Sequence, residues 1–339
     1  MVTIKDMAKI LGISTTTVSN VIHGKTSEVS AETVARVRQL VKDMGYVPNI
    51  NARNLARNRS KIIGIAVKTS FYKYDNLLKD PFFSELLGAM AKEIRKQGYY
   101  LMLYFASSIE EVVHHVAGWN VDGLIVAGLL VDDYMKLKRN YRGTMVLIDC
   151  YLPETINNYN NIGLDDEGGS YLITKHLLDN GHRKIGFVAD NISGVDYYRY
   201  LGHQRALQEY GLPVREENLI LIPQGRSRDN SVLKVFAERI LDLTAYVFCS
   251  DYYAANVINY FNDQGIRIPE EVSITGFDDN EYARMVRPAL TTVAQDVTAK
   301  AELAVRKLIE LLNAEETVDY FDIHMPVELV IRDTVKKLN

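Results

Sequence analysis

Thr16, Asn20 and His23 fall along one side of the stretch STTTVSNVIHG at 100° per residue, opposite Val18, Val21 and Ile22. Short polar side chains presented on such a helix can enter the major groove of a duplex, where Thr reaches base edges and Asn pairs bidentately with adenine. A merely solvated helical face would show the same pattern. A second set of chemical groups sits where apolar runs end. Asp149 closes TMVLID, Asp190 closes KIGFVAD, Asp251 follows AYVFCS, Asp278 and Asp279 follow SITGF, and Arg199 opens RYLGHQRALQEYG. Ligands of open parallel sheets bind beyond the carboxyl ends of the strands, so these are the positions to inspect for binding. An Asp after a strand can equally cap the next helix, and Asp251 before YYAANVINYF has that look above all.

The groups that would signal catalysis are missing. No GxGxxG follows the first apolar run, and neither GxxxxGK[ST] nor GxSxG occurs. His114 and His115 are adjacent and cannot share a helical face, and there is no HExxH or Cys/His cluster, so neither a metal nor a cofactor is expected. Polar cleft residues without a nucleophile and base argue against an enzyme.

The elements that must position these residues follow from periodicity. Thr3 can cap a helix with Ile4, Met7, Ala8 and Leu11 on one face and Asp6 completing a capping box; Gly12 stops it. Ser14 caps the second helix, and Gly24 ends it. A third follows Ser30, with Val34, Val37, Val41 and Met44 inward and Gly45 at its end. Two short helices joined by a tight turn and backed by a third make a helix-turn-helix unit. Next comes NINARNLARNR (49–59), where Asn49 or Asn51 could cap a short helix with Ala52, Leu55 and Ala56 on one side and Arg53, Arg57 and Arg59 around it. A helix that short needs outside help to form.

From residue 61 apolar runs alternate with helical patterns: KIIGIAV, YYLMLYF, DGLIVAG and TMVLIDC, then KIGFVAD, NLILIP, AYVFCS and VSITGF. This is the rhythm of parallel βαβ sheets. SKIIGIAV and HRKIGFVAD share an Ile-Gly-apolar core with Gly64 and Gly186 in matching places, which implies two similar doubly wound lobes.

Composition supports this organisation. The 339 residues are 47% hydrophobic and 24% charged, enough to bury cores in more than one domain. Net charge is -4, but residues 1–61 hold ten Lys or Arg against four Asp or Glu, so a +6 head is carried on a -10 body. A basic head suits a polyanion. Only Cys150 and Cys249 are present, without CxxC spacing, and there is neither a secretory h-region nor a run of 18 apolar residues. The expectation is a cytoplasmic protein that does not span a membrane.

The stretch TIKDMAKILGISTTTVSNVIHGK, followed by VSAETVARVRQLVKDMGYVPNINARNLARNRSKIIGI, resembles the head of LacI/GalR family transcription regulators. DPFFSELLGAMAKEIRKQGYYLML, VDGLIV, LIDC, GHRKIGFV, RYLGHQRAL, FCSDYYAANVINYFNDQGIRIPEEVSITGFDD and PALTTVAQD resemble family segments in the family's order, so the likeness covers essentially the whole chain. It implies an all-α DNA-binding domain at 1–47, a hinge helix at 48–60 and a two-lobed α/β body of periplasmic-binding-protein type at 61–339. The first lobe would span 61–161 and 290–321, the second 162–289 and 322–339. The resemblance assigns base contacts to Thr15, Thr16 and Asn20, and places Thr17 and Ser19 nearer the phosphates. It makes Leu55 an apolar wedge in the minor groove, with Arg57 beside phosphate, in keeping with the physics of kinked duplexes. Effector contacts fall on Asp149, Arg199, Asp251 and Asp278, with Phe71 or Tyr72 lining the cleft. Carboxylates, a guanidinium and aromatic rings suit a polyol.

Two positions depart from the pattern. Cys150 stands where the family's purine-responsive repressor has an aromatic residue, which argues against a purine effector, and Asp166 replaces the commoner Asn of the DN-x-x-G motif. The segment SFYKYDNLLKDPFF is long for the family and could reshape the cleft mouth. The implied function is a repressor acting as a homodimer on a palindromic operator of double-stranded DNA and sensing a small molecule, a carbohydrate or else a nucleoside. The alternative is a sugar-binding protein, cytoplasmic or of periplasmic type, with no role in gene regulation.

Overall fold

The structure, a computed structural model, describes residues 2–46, 59–68, 76–223, 225–316 and 318–338. The chain divides into two compact units, Met1–Ser60 and Lys61–Asn339.

In the first unit α1 (Ile4–Leu11), α2 (Thr15–Ile22) and α3 (Ala31–Asp43) form where the caps predict. The Thr3 hydroxyl accepts from the Asp6 amide at 3.2 Å while the Asp6 carboxylate accepts from the Thr3 amide at 3.0 Å, the reciprocal capping box. Ser14 and Ser30 cap the next two in the same way, accepting from the amides of Thr17 and Thr33. Gly12 closes α1 at φ 67°, a left-handed turn that suits a residue without Cβ. Met7, Ala8, Val18, Val21 and Val37 are buried as the core that holds the three helices together.

The second unit begins with β1 (Ile62–Lys68), α4 (Pro81–Lys96), β2 (Tyr100–Ala106), α5 (Ile109–Trp119), β3 (Gly123–Ala127), α6 (Val131–Asn140), β4 (Thr144–Ile148) and β5 (Asn161–Leu164). It continues with α7 (Asp166–Asp179), β6 (Ile185–Ala189), α8 (Gly194–Glu209), β7 (Leu219–Leu221), α9 (Asn230–Glu238), β8 (Ala245–Phe248), α10 (Asp251–Asp263), β9 (Ser273–Thr275) and α11 (Glu281–Met285). The last elements are β10 (Thr292–Gln295), α12 (Val297–Asn313), β11 (Asp322–Met325) and β12 (Val327–Val330).

Among the described residues the first lobe has a six-stranded parallel sheet in the order β11-β5-β4-β3-β1-β2, and the second a four-stranded parallel sheet in the order β7-β6-β8-β9. In each lobe the leading strand pairs with the next two on either side, so Gly64 on β1 and Gly186 on β6 hold equivalent positions. A Cβ on Gly186 would press on Leu243 and Tyr246, and one on Gly64 on Leu124; both glycines let neighbouring side chains lie flat on the sheet.

The chain crosses between the lobes three times, and the crossings run later than the expected changes at 161/162 and 321/322. β5 and β11 pair with each other, Ile162 opposite Ile323, and complete the first sheet, so the outgoing crossing lies between Leu164 and Asp166 and the final one between Met325 and Val327. The middle crossing is β10, which pairs antiparallel with β12. The tail then packs on the second lobe, where Ile274 N–H donates to the Thr334 carbonyl and Leu338 N–H to that of Asn180.

The second lobe is tightly packed at α7 and α8. Any side chain on Gly202 of α8 would overlap the Glu167 carbonyl of α7. The next residue of α8 is His203, 2% exposed, its Nδ1 3.0 Å from the Thr174 hydroxyl and its ring 5.3 Å from that of Phe187. Burial lowers its pKa from 6.5 to about 3, so the folded protein keeps a neutral imidazole. The stability tied to this depression is complete above pH 6.5 and is lost as pH falls towards 3. Replacing His203 by Gln should therefore reduce the loss of unfolding free energy between pH 7 and pH 5 by about 2 kcal/mol. Urea titrations of parent and variant at both pH values measure this, and parallel losses would contradict it.

Candidate effector cleft and DNA-reading helix

On α2 the polar side faces solvent as the periodicity requires: Thr15 and Thr16 are exposed, Ser19 and Asn20 half-buried, and Val18 and Val21 buried against the bundle. Thr17 is half-buried, and its hydroxyl lies 2.8 Å from that of Ser14, so it serves the helix start. His23 closes the helix and is exposed. Leu55 and Arg57, with the rest of 47–58, lie outside the described residues, as do Phe71 and Tyr72.

In the body the carboxyl ends of both sheets face a cavity of about 230 Å³. The turn after β3 contributes Gly128 to Leu130, β4 contributes Asp149, and the β6–α8 turn contributes Asp190 to Asp196. Arg199 comes from the first turns of α8, and Asp278 and Gln295 from the crossing region, with Phe82 and Phe83 of α4 on the far wall. Asp278 and Gln295 also border a wider opening of about 1040 Å³.

Arg199 is the best-held group in the cleft. Its Nε donates to Asp166 Oδ1 at 2.7 Å, Nη1 donates to the Cys249 carbonyl, Nη2 lies 3.8 Å from Asp278 Oδ1, and the guanidinium sits 3.6 Å from the centre of the Phe277 ring. Burial alone would favour the neutral form; the carboxylates of Asp166, Asp278 and Asp196 outweigh it and hold the arginine charged, its pKa above the usual value. Asp149, on the first lobe, is fixed from within that lobe. Lys300 of α12, only 1% exposed, donates to both of its oxygens at 2.9 and 3.0 Å and to Gln295 Oε1 at 3.1 Å, and Gln295 in turn donates to Asp278 Oδ1 at 2.8 Å. Burial raises the Asp149 pKa, and the Lys300 charge opposes that rise. A continuous polar chain thus runs Asp149–Lys300–Gln295–Asp278–Arg199–Asp166. Two of its aspartates adopt left-handed backbone, Asp149 at φ 50° and Asp278 at φ 117°, the local strain that binding sites commonly carry.

Asp251 takes a different place. It neither caps α10, whose cap is Ser250, nor lines the cavity. It is wholly buried behind the wall, where its carboxylate accepts from the Thr292 hydroxyl at 2.6 Å and the Asn280 amide at 3.0 Å. It ties α10 to the middle crossing. Burial, then the nearby Asp278 charge, raises its pKa well above the ordinary carboxylate range. A strand-end position alone does not separate an aspartate facing the cleft from one turned behind it.

The effector list read from the sequence lacks Phe82, Phe83, Asp196 and Gln295, which line the cavity, and Lys300, which does not line it but holds Asp149. Lys300 had a visible signal. It falls within the apolar stripe Val297, Ala301, Ala304, Leu308 of its helix, where a cation needs a partner.

Residues 3–49 match the family described as bacterial regulatory proteins, lacI family, and residues 174–335 match the periplasmic binding protein-like domain. A repressor of Pasteurella multocida, HTH-type transcriptional repressor PurR, is 34% identical over 348 residues, covering 99% of each chain. The chain belongs to the LacI family. It is a transcriptional repressor with a DNA-binding helix-turn-helix head and an effector-binding body, and not an enzyme. Among solved structures, the Lac repressor dimer bound to operator and the anti-inducer ONPF superposes with a TM-score of 0.83 at 25% identity, covering 99% of each chain. The transcriptional regulator CelR in complex with cellobiose, 23% identical with a TM-score of 0.73 over 98% of this chain and 100% of that one, shares the fold. Among the described residues no group of His, Cys, Asp and Glu is placed to hold a metal, and no helix is long and apolar enough to cross a membrane.

Proposed function

We propose that this LacI-family repressor acts as a homodimer on a pseudo-palindromic operator and that a small neutral polyol, a monosaccharide in the first place, sets its operator affinity from the cleft. The observation that carries the effector reading is the convergence of Arg199, Asp149 and Asp278 on one cavity, drawn from two lobes and set beside Phe82 and Phe83. Carboxylates accept from sugar hydroxyls, the arginine donates to ring and hydroxyl oxygens, and the rings cover an apolar sugar face. At about 230 Å³ the cavity is below the roughly 300–1,000 Å³ of drug-sized pockets, which favours a small ligand. Asp80, Asp149, Asp190, Asp196 and Asp278 all border it, a carboxylate-rich wall that disfavours phosphorylated or acidic sugars.

On the DNA side, a repressor that presents one reading helix per subunit needs two half-sites related by the dimer's two-fold axis. Leu55 then wedges the minor groove and Arg57 neutralises phosphate; Thr15, Thr16 and Asn20 read bases, with Thr17 and Ser19 beside the backbone. Selection of duplexes from a random library by the full chain should return a palindrome. Asn20→Ala should lose preference at one base pair per half-site, about 1–3 kcal/mol there, and leave the rest of the selected sequence unchanged. A selected site without two-fold symmetry would overturn the dimer reading, and an unaltered preference profile would remove Asn20 from the contact set.

A further inference from the structure

We propose that Tyr151 is the positioning residue that ties the effector-contacting arginine to the crossings between the lobes, so that the angle between the lobes follows the state of the cleft. The proposal rests on the regulatory reading above and adds the residue through which it works.

Tyr151 stands two residues beyond Asp149, on the first-lobe segment leaving β4, yet most of what it touches belongs to the crossings or to the second lobe. Its hydroxyl donates to the Leu164 carbonyl at 2.9 Å, at the end of β5 where the chain leaves the first lobe, and also contacts Asp166 Oδ2 at the start of α7. Its ring stacks on Tyr198 of α8, centroids 4.3 Å apart and planes 28° from parallel, and meets the edge of His324 on β11 at 5.9 Å. One side chain therefore touches the outgoing crossing, the strand before the final crossing, and the helix that carries Arg199.

Asp166 makes this connection specific. It is 1% exposed, and its two oxygens are divided between Arg199 Nε and the Tyr151 hydroxyl. An amide at this position would have to turn its N–H towards the hydroxyl, which would then donate to Leu164 alone. The carboxylate that sets this chain apart from the commoner DN-x-x-G pattern presents an acceptor to both Arg199 and Tyr151, so the hydroxyl proton is drawn towards the residue that holds the arginine. Any shift of Arg199 towards a ligand must move Asp166 or break one of its two bonds, and Tyr198, adjacent to Arg199, carries the same movement into the stack.

The test uses the full chain with spin labels on Glu110→Cys of α5 and Lys234→Cys of α9, one exposed site on each lobe. The native Cys150 and Cys249 are buried, and burial pushes the Cys150 thiol up to about 12, which protects it from labelling. Interlobe distances are read by pulsed dipolar spectroscopy with and without a duplex selected by the parent protein. The expected result is a narrow distribution for the parent, at least twofold broader in Tyr151→Phe and in Tyr198→Ala, with Tyr198→Phe keeping the parent width because it keeps the stacked ring. The duplex should move the parent distribution, and in Tyr151→Phe this movement should fall by half or more while the melting temperature stays within a few degrees. Tyr151→Phe with the parent's width and the parent's response to duplex overturns the proposal. A parent that does not respond to duplex at all sinks the regulatory reading instead, and the widths without DNA still decide the role of Tyr151.

Discussion

Arg199→Ala should abolish the effect of any cleft ligand on operator binding while the unliganded variant still binds operator within about twofold of the parent. Among the described residues the guanidinium is the one cation bordering the cavity, and its partners Asp166 and Asp278 are themselves nearly buried. Truncation leaves the buried Asp166 carboxylate without its cation, and breaking a buried pair in this way typically costs about 3–5 kcal/mol. The body should therefore unfold at clearly lower urea concentration. Arg199→Lys guards against simple loss of folding: it keeps the charge beside Asp166 and loses the second and third donors, so stability should return in part while ligand response remains lost. Fluorescence anisotropy on the selected duplex, with and without a sugar that binds the parent, reads the response. An Arg199→Ala protein that still responds to that sugar removes the residue from the site.

Lys300→Met should be nearly as costly, again about 3–5 kcal/mol near neutral pH, because Asp149 would lose the buried cation that holds it ionised. The cost should depend on pH with a defined sign. Burial already raises the Asp149 pKa in the folded protein, so the stability associated with its protonated form is complete below the unfolded value of 3.8 and is lost as pH rises through the folded value. Removing Lys300 raises that folded value further. The gap between variant and parent should thus be widest at neutral pH and shrink on acidification, as Asp149 takes up its proton. Adding Asp149→Asn should recover a large part of the loss, since the two residues act as one pair. Urea unfolding of the three proteins at two pH values decides it; a double variant no more stable than Lys300→Met would contradict the pairing.

These two residues mark where the sequence was readable and where it was not. The head was legible because local chemistry determines it: Thr3, Ser14 and Ser30 announce helix starts by hydrogen-bonding their own backbone, and each did. The central strands were legible for a similar reason, since β1, β3, β4, β6 and β8 are apolar runs buried on both faces of a parallel sheet. β5, β10, β11 and β12 were not. Each has four residues, two of them mix polar and apolar side chains as DIHM and VELV, and they pair with segments distant in the chain, β5 with β11 as Asn161 with Asp322 and β10 with β12 as Thr292 with Val330. Such strands are defined by tertiary partners, so the lobe boundaries were placed several residues early.

In the cleft, Asp149 and Asp278 could be named because ligands bind beyond strand ends in this architecture, and Arg199 because of the family resemblance. Asp251 shares that strand-end position, yet its side chain turns towards Thr292 instead. Position along a strand predicts the end of the sheet a residue occupies, but not the wall it faces. Gln295 reaches the cleft from the middle crossing, and Lys300 of the helix after it holds Asp149 without lining the cavity; no local pattern joins either to Asp149.

On the proposed mechanism, operator and polyol bind one protein at two sites and alter each other's affinity. The direct measurement takes a sugar that raises the melting temperature of the full chain and determines four dissociation constants: operator with and without the sugar, and the sugar with and without operator. Binding linkage requires both ratios to be the same factor. Equal factors of about 5 to 150 are expected, the span of typical coupling energies. A sugar that binds the cleft and leaves operator affinity unchanged, with operator leaving its affinity unchanged in turn, would contradict it.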